Sequence, residues 1–252
     1  MHTTLTTCAL RLVAQARAVR WLAIALVGMS FTPTGFAQSD PRGDGPYSSA
    51  YSNPYRDPFD FTLSFSRSDI DLRDSTTHYP VNLERISLSV FSLQEKNIHF
   101  GFNTGSSYLS MDNDTVLTGM SLNGYHAGFA LRGHYGRNPQ LGLHADYRYQ
   151  ETRHKTDSQS ATLSWHEWTL AARGRLVLGQ RLGIVLGWAY SEIEAGRSAR
   201  GDINDALNLR LDSAPQLQVE LEWLTGAGGR VSLAVQNGAY ENLAFNFAQT
   251  FR

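Results

Sequence analysis

Strict alternation of apolar and polar side chains constrains the fold of this chain more than any other feature. The run from Leu217 to Trp223 reads LQVELEW, and the same period of two recurs over 125–135, 141–150 and 182–191. Successive side chains of a β-strand point to opposite faces, so each run predicts a strand with one apolar and one polar face. This part of the chain shows no convincing helical period of 3.6 residues, and we therefore predict an all-β fold.

Ten strands are predicted from these runs. They cover 59–71, 82–93, 97–109, 119–135, 140–152, 161–177, 181–195, 215–225, 230–238 and 241–251. Tight turns alternate with longer polar loops, and the predicted long loops are 72–81, 110–118, 153–160 and 196–214. Short turns on one side and long loops on the other are typical of an antiparallel up-and-down transmembrane β-barrel.

The segment Ala206–Asp212 also alternates and makes the strand count ambiguous. A barrel with both chain ends on one side of the membrane needs an even number of strands. We therefore assign this segment to a hairpin-like extension of loop 196–214 and predict about ten strands. Eight and twelve strands stay open as alternatives.

The N-terminal segment has the pattern of a secretory signal peptide. Three arginines without an acidic residue precede the apolar run Trp21–Phe31, and the small residues Gly35 and Ala37 suit cleavage before Gln38. An uncleaved anchor is the alternative, but so short a run cannot span a hydrocarbon core of about 30 Å as a helix.

Three regions follow from this pattern: a cleaved signal peptide at 1–37, a flexible periplasmic lead-in at 38–57, and a β-domain at 58–252. The whole chain carries 22 basic and 23 acidic side chains, so it lacks the basic surplus of a nucleic-acid-binding protein. The single cysteine, Cys8, lies in the signal peptide. It excludes a disulfide framework and a cysteine-based zinc site.

Alternation alone fits a membrane barrel and a soluble barrel equally well. Two features favour the membrane barrel: the polar face is rich in glycine and alanine, and the aromatic residues fall at two levels, as a bilayer selects. The predicted interface aromatics are Tyr125, Tyr147, Tyr149, Trp188 and Tyr190 at the outer end and Phe59, Phe61, Tyr135, Trp223 and Phe251 at the periplasmic end. A soluble periplasmic barrel remains the alternative.

The last strand supplies a third feature, because Phe245, Phe247 and Phe251 form an aromatic pattern close to the C-terminus. This pattern resembles the signal read by the barrel-assembly machinery, although Gln249 and Arg252 depart from it. The chain resembles a small outer-membrane β-barrel of Gram-negative bacteria, of the OmpA/OmpX-like class. The resemblance implies an outer-membrane location, with membrane lipid and the assembly machinery as partners and with no cofactor.

Charged and histidine side chains on the polar face are predicted to line the lumen. They are His126, Arg132, His134, His144, Asp146, Arg148, Glu167, Arg173, Arg175, Glu220 and Glu222. Cross-strand pairing predicts ion pairs between Glu222 and Arg230, and between Asp146 and either Arg173 or Arg175. These pairs favour a structural lumen in a protein with a structural, surface-interaction or small-pore role. Conduction through such a lumen would favour anions.

A lipid-modifying outer-membrane enzyme is the alternative function. Lipid A deacylases of this architecture use a lipid-facing His-x-Ser pair, and no histidine of this chain has a serine two residues later. Ser164 and His166 share the lipid-side face in the reverse order. We assign no catalytic, cofactor-binding or metal-ligating residue.

Two Arg-Gly-Asp tripeptides occur, at Arg42–Asp44 in the lead-in and at Arg200–Asp202 in loop 196–214. Average composition produces such a tripeptide by chance in roughly one chain in twenty of this length. The second tripeptide is predicted to face outward, where loops carry function. Loop 196–214 is therefore the candidate site for a surface ligand.

Overall fold

A computed structural model describes residues 59–93, 97–136, 138–211, 215–225, 228–238 and 240–251. All of them belong to one unit of the chain, Gly45–Arg252. The predicted signal peptide and lead-in lie outside the described residues.

The described residues form eleven strands. They are β1 (Phe59–Arg73), β2 (His78–Ser92), β3 (Ile98–Met111), β4 (Ser121–Tyr135), β5 (Gln140–Lys155), β6 (Gln159–Leu178), β7 (Leu182–Gly201), β8 (Asp205–Leu211), β9 (Pro215–Leu224), β10 (Gly229–Asn237) and β11 (Tyr240–Phe251). The described ranges contain no helix long and apolar enough to cross a bilayer.

Ten of these strands close into an antiparallel ring. The order runs from β1 to β7, continues through β9, β10 and β11, and returns to β1. The closing seam pairs β1 with β11 from Phe59 opposite Phe251 to Ile70 opposite Tyr240. The predicted ten-stranded antiparallel barrel is confirmed.

Strand β8 lies in the loop where the sequence predicted a hairpin-like extension. It pairs with the far end of β7, from Ile193 opposite Leu211 to Ala199 opposite Asp205. It also pairs with β1, where Arg73 lies opposite Arg210. Above the β10–β11 hairpin, the ring of described strands therefore closes through β8 and contains eight strands.

Most strands of the upper ring extend further than predicted at the upper end, and three of the four loops there are shorter. We call the end with Phe59 and Phe251 the lower end and the opposite end the upper end. Tyr190 was predicted near the end of its strand, but β7 continues to Gly201. Much of the predicted long loops 72–81, 153–160 and 196–214 is in fact strand. These segments were predicted to be loops, but they also alternate between apolar and polar residues. Their apolar side chains are buried in the interior of the barrel, which allows the strands to continue.

The apolar side chains of a strand point outward in the lower part of the barrel and inward in the upper part. In the lower part of β2, Ile86 and Leu88 point outward and are exposed, whereas Arg85 and Ser87 point inward and are buried. In the upper part of the same strand, Leu83 is fully buried inside the barrel. We call the outward apolar surface of the lower part the belt, its polar interior the lumen, and the upper part with its apolar interior the cap.

The interior of the cap is a continuous hydrophobic core. Its members come from nearly every strand of the upper ring and from the β3–β4 loop. They are Ile70, Leu72, Tyr79, Val81, Leu83, Leu109, Met111, Val116, Leu117, Leu122, Ala161, Leu163, Trp165, Ile193, Ala195, Ala199, Leu209, Leu211 and Tyr240. Burial of this apolar surface stabilises the cap in the manner of a water-soluble barrel.

Candidate functional site

The lumen directly beneath the cap is crossed by a buried network centred on Arg85. Its guanidinium donates to Glu167 Oε2 at 2.6 Å, to Gln150 Oε1 at 2.8 Å and to the Tyr240 hydroxyl at 3.0 Å. The side chains of Arg85 and Glu167 are 2% and 4% exposed. The network joins β2, β5, β6 and β11, so it ties opposite walls of the barrel together.

Glu167 is shared with a second arginine. Arg148 Nη1 lies 3.7 Å from Glu167 Oε1, and its Nη2 lies 3.3 Å from Asp146 Oδ1. Asn103 donates to the other oxygen of Asp146 at 2.8 Å. Charges taken out of water need such partners, because an unpaired buried charge is strongly destabilising.

The predicted pairing of Asp146 with Arg173 or Arg175 is wrong. In the β5–β6 register Asp146 lies opposite Thr169, whereas Arg173 lies opposite Gly142. The stagger therefore places both arginines lower in the barrel than Asp146. The predicted pair between Glu222 and Arg230 is confirmed, with Arg230 Nε 3.6 Å from Glu222 Oε1. Arg175 donates from its Nε to the other oxygen of the same carboxylate.

His126 is fully buried between two serines. Its Nε2 lies 2.9 Å from Ser87 Oγ and its Nδ1 lies 3.0 Å from Ser107 Oγ. Gly105, on the neighbouring strand, makes room for the ring, because a Cβ there would overlap the Ile86 carbonyl and crowd the imidazole. The arrangement fixes the imidazole within the wall of the network.

The other predicted lumen residues also have inward positions. Arg132 lies 3.6 Å from Asp60, and its guanidinium carbon lies 3.5 Å from the centre of the Phe91 ring. The rings of His134 and His99 are 4.9 Å apart, and His144 lies opposite Arg132 in the register. Glu220 accepts a hydrogen bond from Ser232. Within the described ranges, no group of three or more candidate ligands is arranged to hold a metal ion.

Three members of the central network were not among the predicted lumen residues: Arg85, Gln150 and Tyr240. Arg85 shares its inward face with Leu83, so the strand shows no uniformly polar side in the sequence. The feature of the sequence that could have identified Arg85 is the change on one face of β2 from apolar Leu83 to polar Arg85 and Ser87. That change marks the boundary between cap and lumen.

The β3–β4 loop closes the upper end of the cap. Asp114 Oδ1 accepts hydrogen bonds from the backbone nitrogens of Val116 at 2.7 Å and Leu117 at 2.8 Å. This turn directs both apolar side chains into the core, where Leu117 is completely buried. We call residues 114–117 the plug.

A buried arginine holds the plug in place. Arg197 Nε lies 3.1 Å from Asp114 Oδ2, and its Nη2 donates to Asp205 Oδ2 at 2.7 Å. The side chains of Arg197 and Asp114 are 2% and 1% exposed. The pair therefore links the plug to β7 and to the β7–β8 hairpin.

On the belt, the predicted interface aromatics point outward. Tyr135, Trp188, Trp223, Phe251, Tyr125, Tyr190, Phe59 and Phe61 are exposed, and Tyr147 and Tyr149 are half-buried against neighbouring rings. The outer set lies within the strands, because the strands continue into the cap above it. Phe245 and Phe247 pack edge to face with centroids 4.7 Å apart, and Phe61 packs on Phe251 at 5.3 Å.

Ser164 and His166 lie on the outward face of β6, with His166 at this outer aromatic level and Ser164 just above it. His166 Nδ1 is engaged by the Tyr147 hydroxyl at 2.6 Å, and its ring also contacts Tyr149. Within the described part of the chain, no hydrogen bond joins Ser164 to His166. The oriented nucleophile and base that a hydrolase needs are not formed by this pair.

A closed antiparallel ring, an outward apolar belt with two aromatic levels and a polar interior define a transmembrane β-barrel of the outer-membrane type. Its place in the bacterial outer membrane follows from that class. No family model matches the sequence, and no curated protein matches it.

Solved structures of outer-membrane proteins are similar in fold. The translocator domain of the autotransporter NalP from Neisseria meningitidis is 11% identical, with a TM-score of 0.46 over 98% of each chain. The β domain of the Bordetella autotransporter BrkA is 11% identical, with a TM-score of 0.49 over 78% of this chain and 100% of that chain. The outer-membrane protease OmpT from Escherichia coli is 10% identical, with a TM-score of 0.47 over 81% and 99%.

Proposed function

We propose that this protein is a closed outer-membrane barrel whose function lies on its extracellular cap, in surface interaction or structural support. The observation that carries the proposal is the apolar core of the cap with Leu117 of the plug inside it. Water and ions do not cross a close-packed apolar layer without displacing it. The network around Arg85 adds a second barrier directly below.

The orientation of the barrel supports an external cap. Barrels of this type keep their termini and short turns in the periplasm. We therefore assign the lower end, with Phe59 and Phe251, to the periplasmic side of the membrane. Strand β7 has nine residues from Leu182 to Tyr190, which is about the length that crosses a bilayer. Its continuation to Gly201 then extends outside the membrane, with polar residues on its outward face.

Bilayer conductance tests whether the barrel is closed. Purified protein in planar bilayers is expected to show no discrete conductance steps. The double variant Val116→Ser/Leu117→Ser removes the apolar plug side chains and is expected to let discrete steps appear. Asp112→Ser, an exposed change in the same loop, serves as the matched control. Stable steps from the unchanged protein would overturn the proposal.

A gated pore is the second candidate function, and the polar lumen below the cap favours it. Two inward arginines, Arg175 and Arg230, share the single carboxylate of Glu222. Positive side chains therefore outnumber negative ones in this group. Rare steps with anion preference from the unchanged protein, made frequent by the plug variant, would instead support a lumen that conducts after the cap moves.

We further propose that the chain is exported with cleavage before Gln38. The mass of the mature protein in the membrane fraction tests this cleavage. A gel shift between unboiled and boiled samples tests the closed barrel in the same preparation, because such a barrel resists detergent until it is heated. A soluble periplasmic protein with no shift would contradict the membrane proposal, whereas a mature mass that still includes residues 1–37 would contradict the cleavage.

A further inference from the structure

The second Arg-Gly-Asp tripeptide lies at the tip of the β7–β8 hairpin. Arg200 and Gly201 end β7, Asp202 begins the turn, and β8 starts at Asp205. Gly201 has a φ of +131°, which side-chain-bearing residues rarely adopt. The glycine is therefore required by the turn itself, and it places the arginine and the aspartate on either side of a sharp change in chain direction.

The backbone of this tip is held by hydrogen bonds on both sides of the glycine. Asn204 Oδ1 accepts from the Gly201 nitrogen at 3.2 Å, and Asn204 Nδ2 donates to the Gly201 carbonyl at 3.0 Å. The Asp202 nitrogen donates to the Ser158 carbonyl at 3.2 Å. The tip is thus fastened to the neighbouring β5–β6 hairpin.

Gln159 makes the second attachment. Its side-chain carbonyl accepts from the Ile203 nitrogen at 3.0 Å, and its amide donates to the Ile203 carbonyl at the same distance. Gln159 is itself buried, with 7% exposure. A rigid anchor inside the cap therefore fixes an exposed turn, and a fixed turn binds a partner with less loss of conformational entropy.

The two charged side chains of the tripeptide are available to a partner. Arg200 and Asp202 are both exposed, and within the described residues neither makes an ion pair. A carboxylate can complete the coordination of a divalent cation, and a guanidinium can pair with a carboxylate through two parallel hydrogen bonds. The tip presents both groups two residues apart on a rigid support.

We propose that the Arg200–Asp202 tip is an adhesion site for a receptor of the integrin type. Such a receptor offers a bound divalent cation to the Asp202 carboxylate and an acidic pocket to Arg200. The inference rests on the proposed function, since it needs the cap to face outward. It names the partner class for that surface.

The other tripeptide, Arg42–Asp44, lies outside the described residues and supplies a matched control. Asp202→Glu and Asp44→Glu make the same chemical change, keeping the charge and moving the carboxylate by one methylene. Because Asp202 is exposed and its side chain makes no hydrogen bond or ion pair with another described residue, the change is expected to leave the fold intact. The gel shift of each variant verifies this directly.

The experiment measures binding of a purified integrin ectodomain that recognises Arg-Gly-Asp to the full-length protein in lipid nanodiscs with Mn²⁺. Asp202→Glu is expected to weaken binding by about tenfold or more, a loss of at least one cation or hydrogen-bond contact. Asp44→Glu is expected to bind like the unchanged protein, and removal of Mn²⁺ is expected to abolish binding. Equal binding by Asp202→Glu, or no binding by the unchanged protein, would overturn the inference.

Gln159→Ala tests whether the rigid presentation of the tripeptide matters. The change leaves Arg200–Asp202 intact but releases Ile203, so a several-fold loss of affinity supports a presented site. An unchanged affinity would overturn the role given to the support. Conductance of the same preparations separates the two proposals: a conducting barrel removes the proposed function, whereas a closed barrel without receptor binding removes only this inference.

Discussion

The lower and upper halves of this barrel are made from the same strands but have opposite interiors. Below Arg85 the strands place polar side chains inside and apolar side chains against lipid. Above it they place apolar side chains inside and polar side chains outside. The period of two is the same in both halves. The solvent outside each half decides which face is buried.

The two halves are also stabilised by different interactions. The cap gains stability from removing apolar surface from water, as soluble proteins do. The belt has no such gain, because lipid tails are as apolar as the side chains that face them. Inside the belt the walls are instead connected by paired charges and hydrogen bonds such as Arg85 with Glu167. Each half is therefore sensitive to a different kind of substitution.

The largest effect is expected from breaking the network in the lumen. Glu167→Leu leaves Arg85 and Arg148 without their shared carboxylate and is expected to cost about 3–5 kcal/mol. Denaturant unfolding of the protein in lipid vesicles, followed by tryptophan fluorescence, measures the loss. Glu194→Leu, on the outward face of β7, is the control and is expected to change stability by about 1 kcal/mol or less.

The double variant Glu167→Leu/Arg85→Met sharpens this prediction. It replaces the central pair with apolar groups of similar size, so it is expected to recover part of the lost stability. An unfolding midpoint for Glu167→Leu equal to that of the unchanged protein would show that water in the lumen, and not the carboxylate, compensates the arginines.

A matched pair of tryptophans compares the two halves directly. Trp165 is 1% exposed in the cap, whereas Trp188 is 68% exposed on the belt. Trp165→Ala is expected to cost about 3 kcal/mol because it leaves a cavity in a close-packed core. Trp188→Ala is expected to cost about 1 kcal/mol, the scale of an interfacial aromatic that fills no core space. Equal costs by denaturant unfolding would contradict a water-soluble type of core in the cap.

Substitutions on the outward face of β6 test where the boundary between belt and cap lies on the outer surface of the barrel. Ala172 lies in the belt and Ser164 lies above the outer aromatic level. Ala172→Arg is expected to destabilise the barrel by about 2–4 kcal/mol, the cost of a cation facing lipid near the bilayer midplane. Ser164→Arg faces water and is expected to change stability by about 0.5 kcal/mol or less. A cost at Ser164 similar to that at Ala172 would place the belt higher than proposed.

The sequence predicted β9 well because one rule, apolar outward, holds along the whole length of this strand. β9 was predicted at 215–225 and is observed at Pro215–Leu224. The cap was missed, since residues such as Leu72 and Val81 fall in segments that were assigned to a loop. A period of two shows that a strand has one apolar face, but it does not show whether that face points into the barrel or out of it.

Individual contacts in the lumen were also only partly predictable from the sequence. The face of each charged residue follows from its parity, whereas its partner depends on the stagger between strands. Glu222 and Arg230 flank one tight turn, so their pairing was predictable. Asp146 and Arg148 are neighbours along β5, and the two arginines of β6 lie too low to reach Asp146. The plug was not predictable from periodicity, because Val116 and Leu117 lie in a turn between strands.

The smallest effect is expected at the edge of the cap, where acid weakens the attachment of the β7–β8 hairpin. The hydrogen bond from Arg197 lowers the pKa of the Asp205 carboxyl below its ordinary value. A lowered pKa stabilises the folded state above the ordinary pKa of about 3.9, and this contribution is lost as the pH falls through the lowered value.

Limited proteolysis of the hairpin between pH 7 and pH 3 measures this loss with an acid-tolerant protease. The unchanged protein is expected to become modestly more susceptible only at the acidic end. Asp205→Asn is expected to be slightly more susceptible at pH 7 and to show a flatter pH response. The effect stays small because Asp205 is exposed and Arg197 retains Asp114 as a buried partner. A large acid response in Asp205→Asn would assign the pH sensitivity to another carboxylate of the cap.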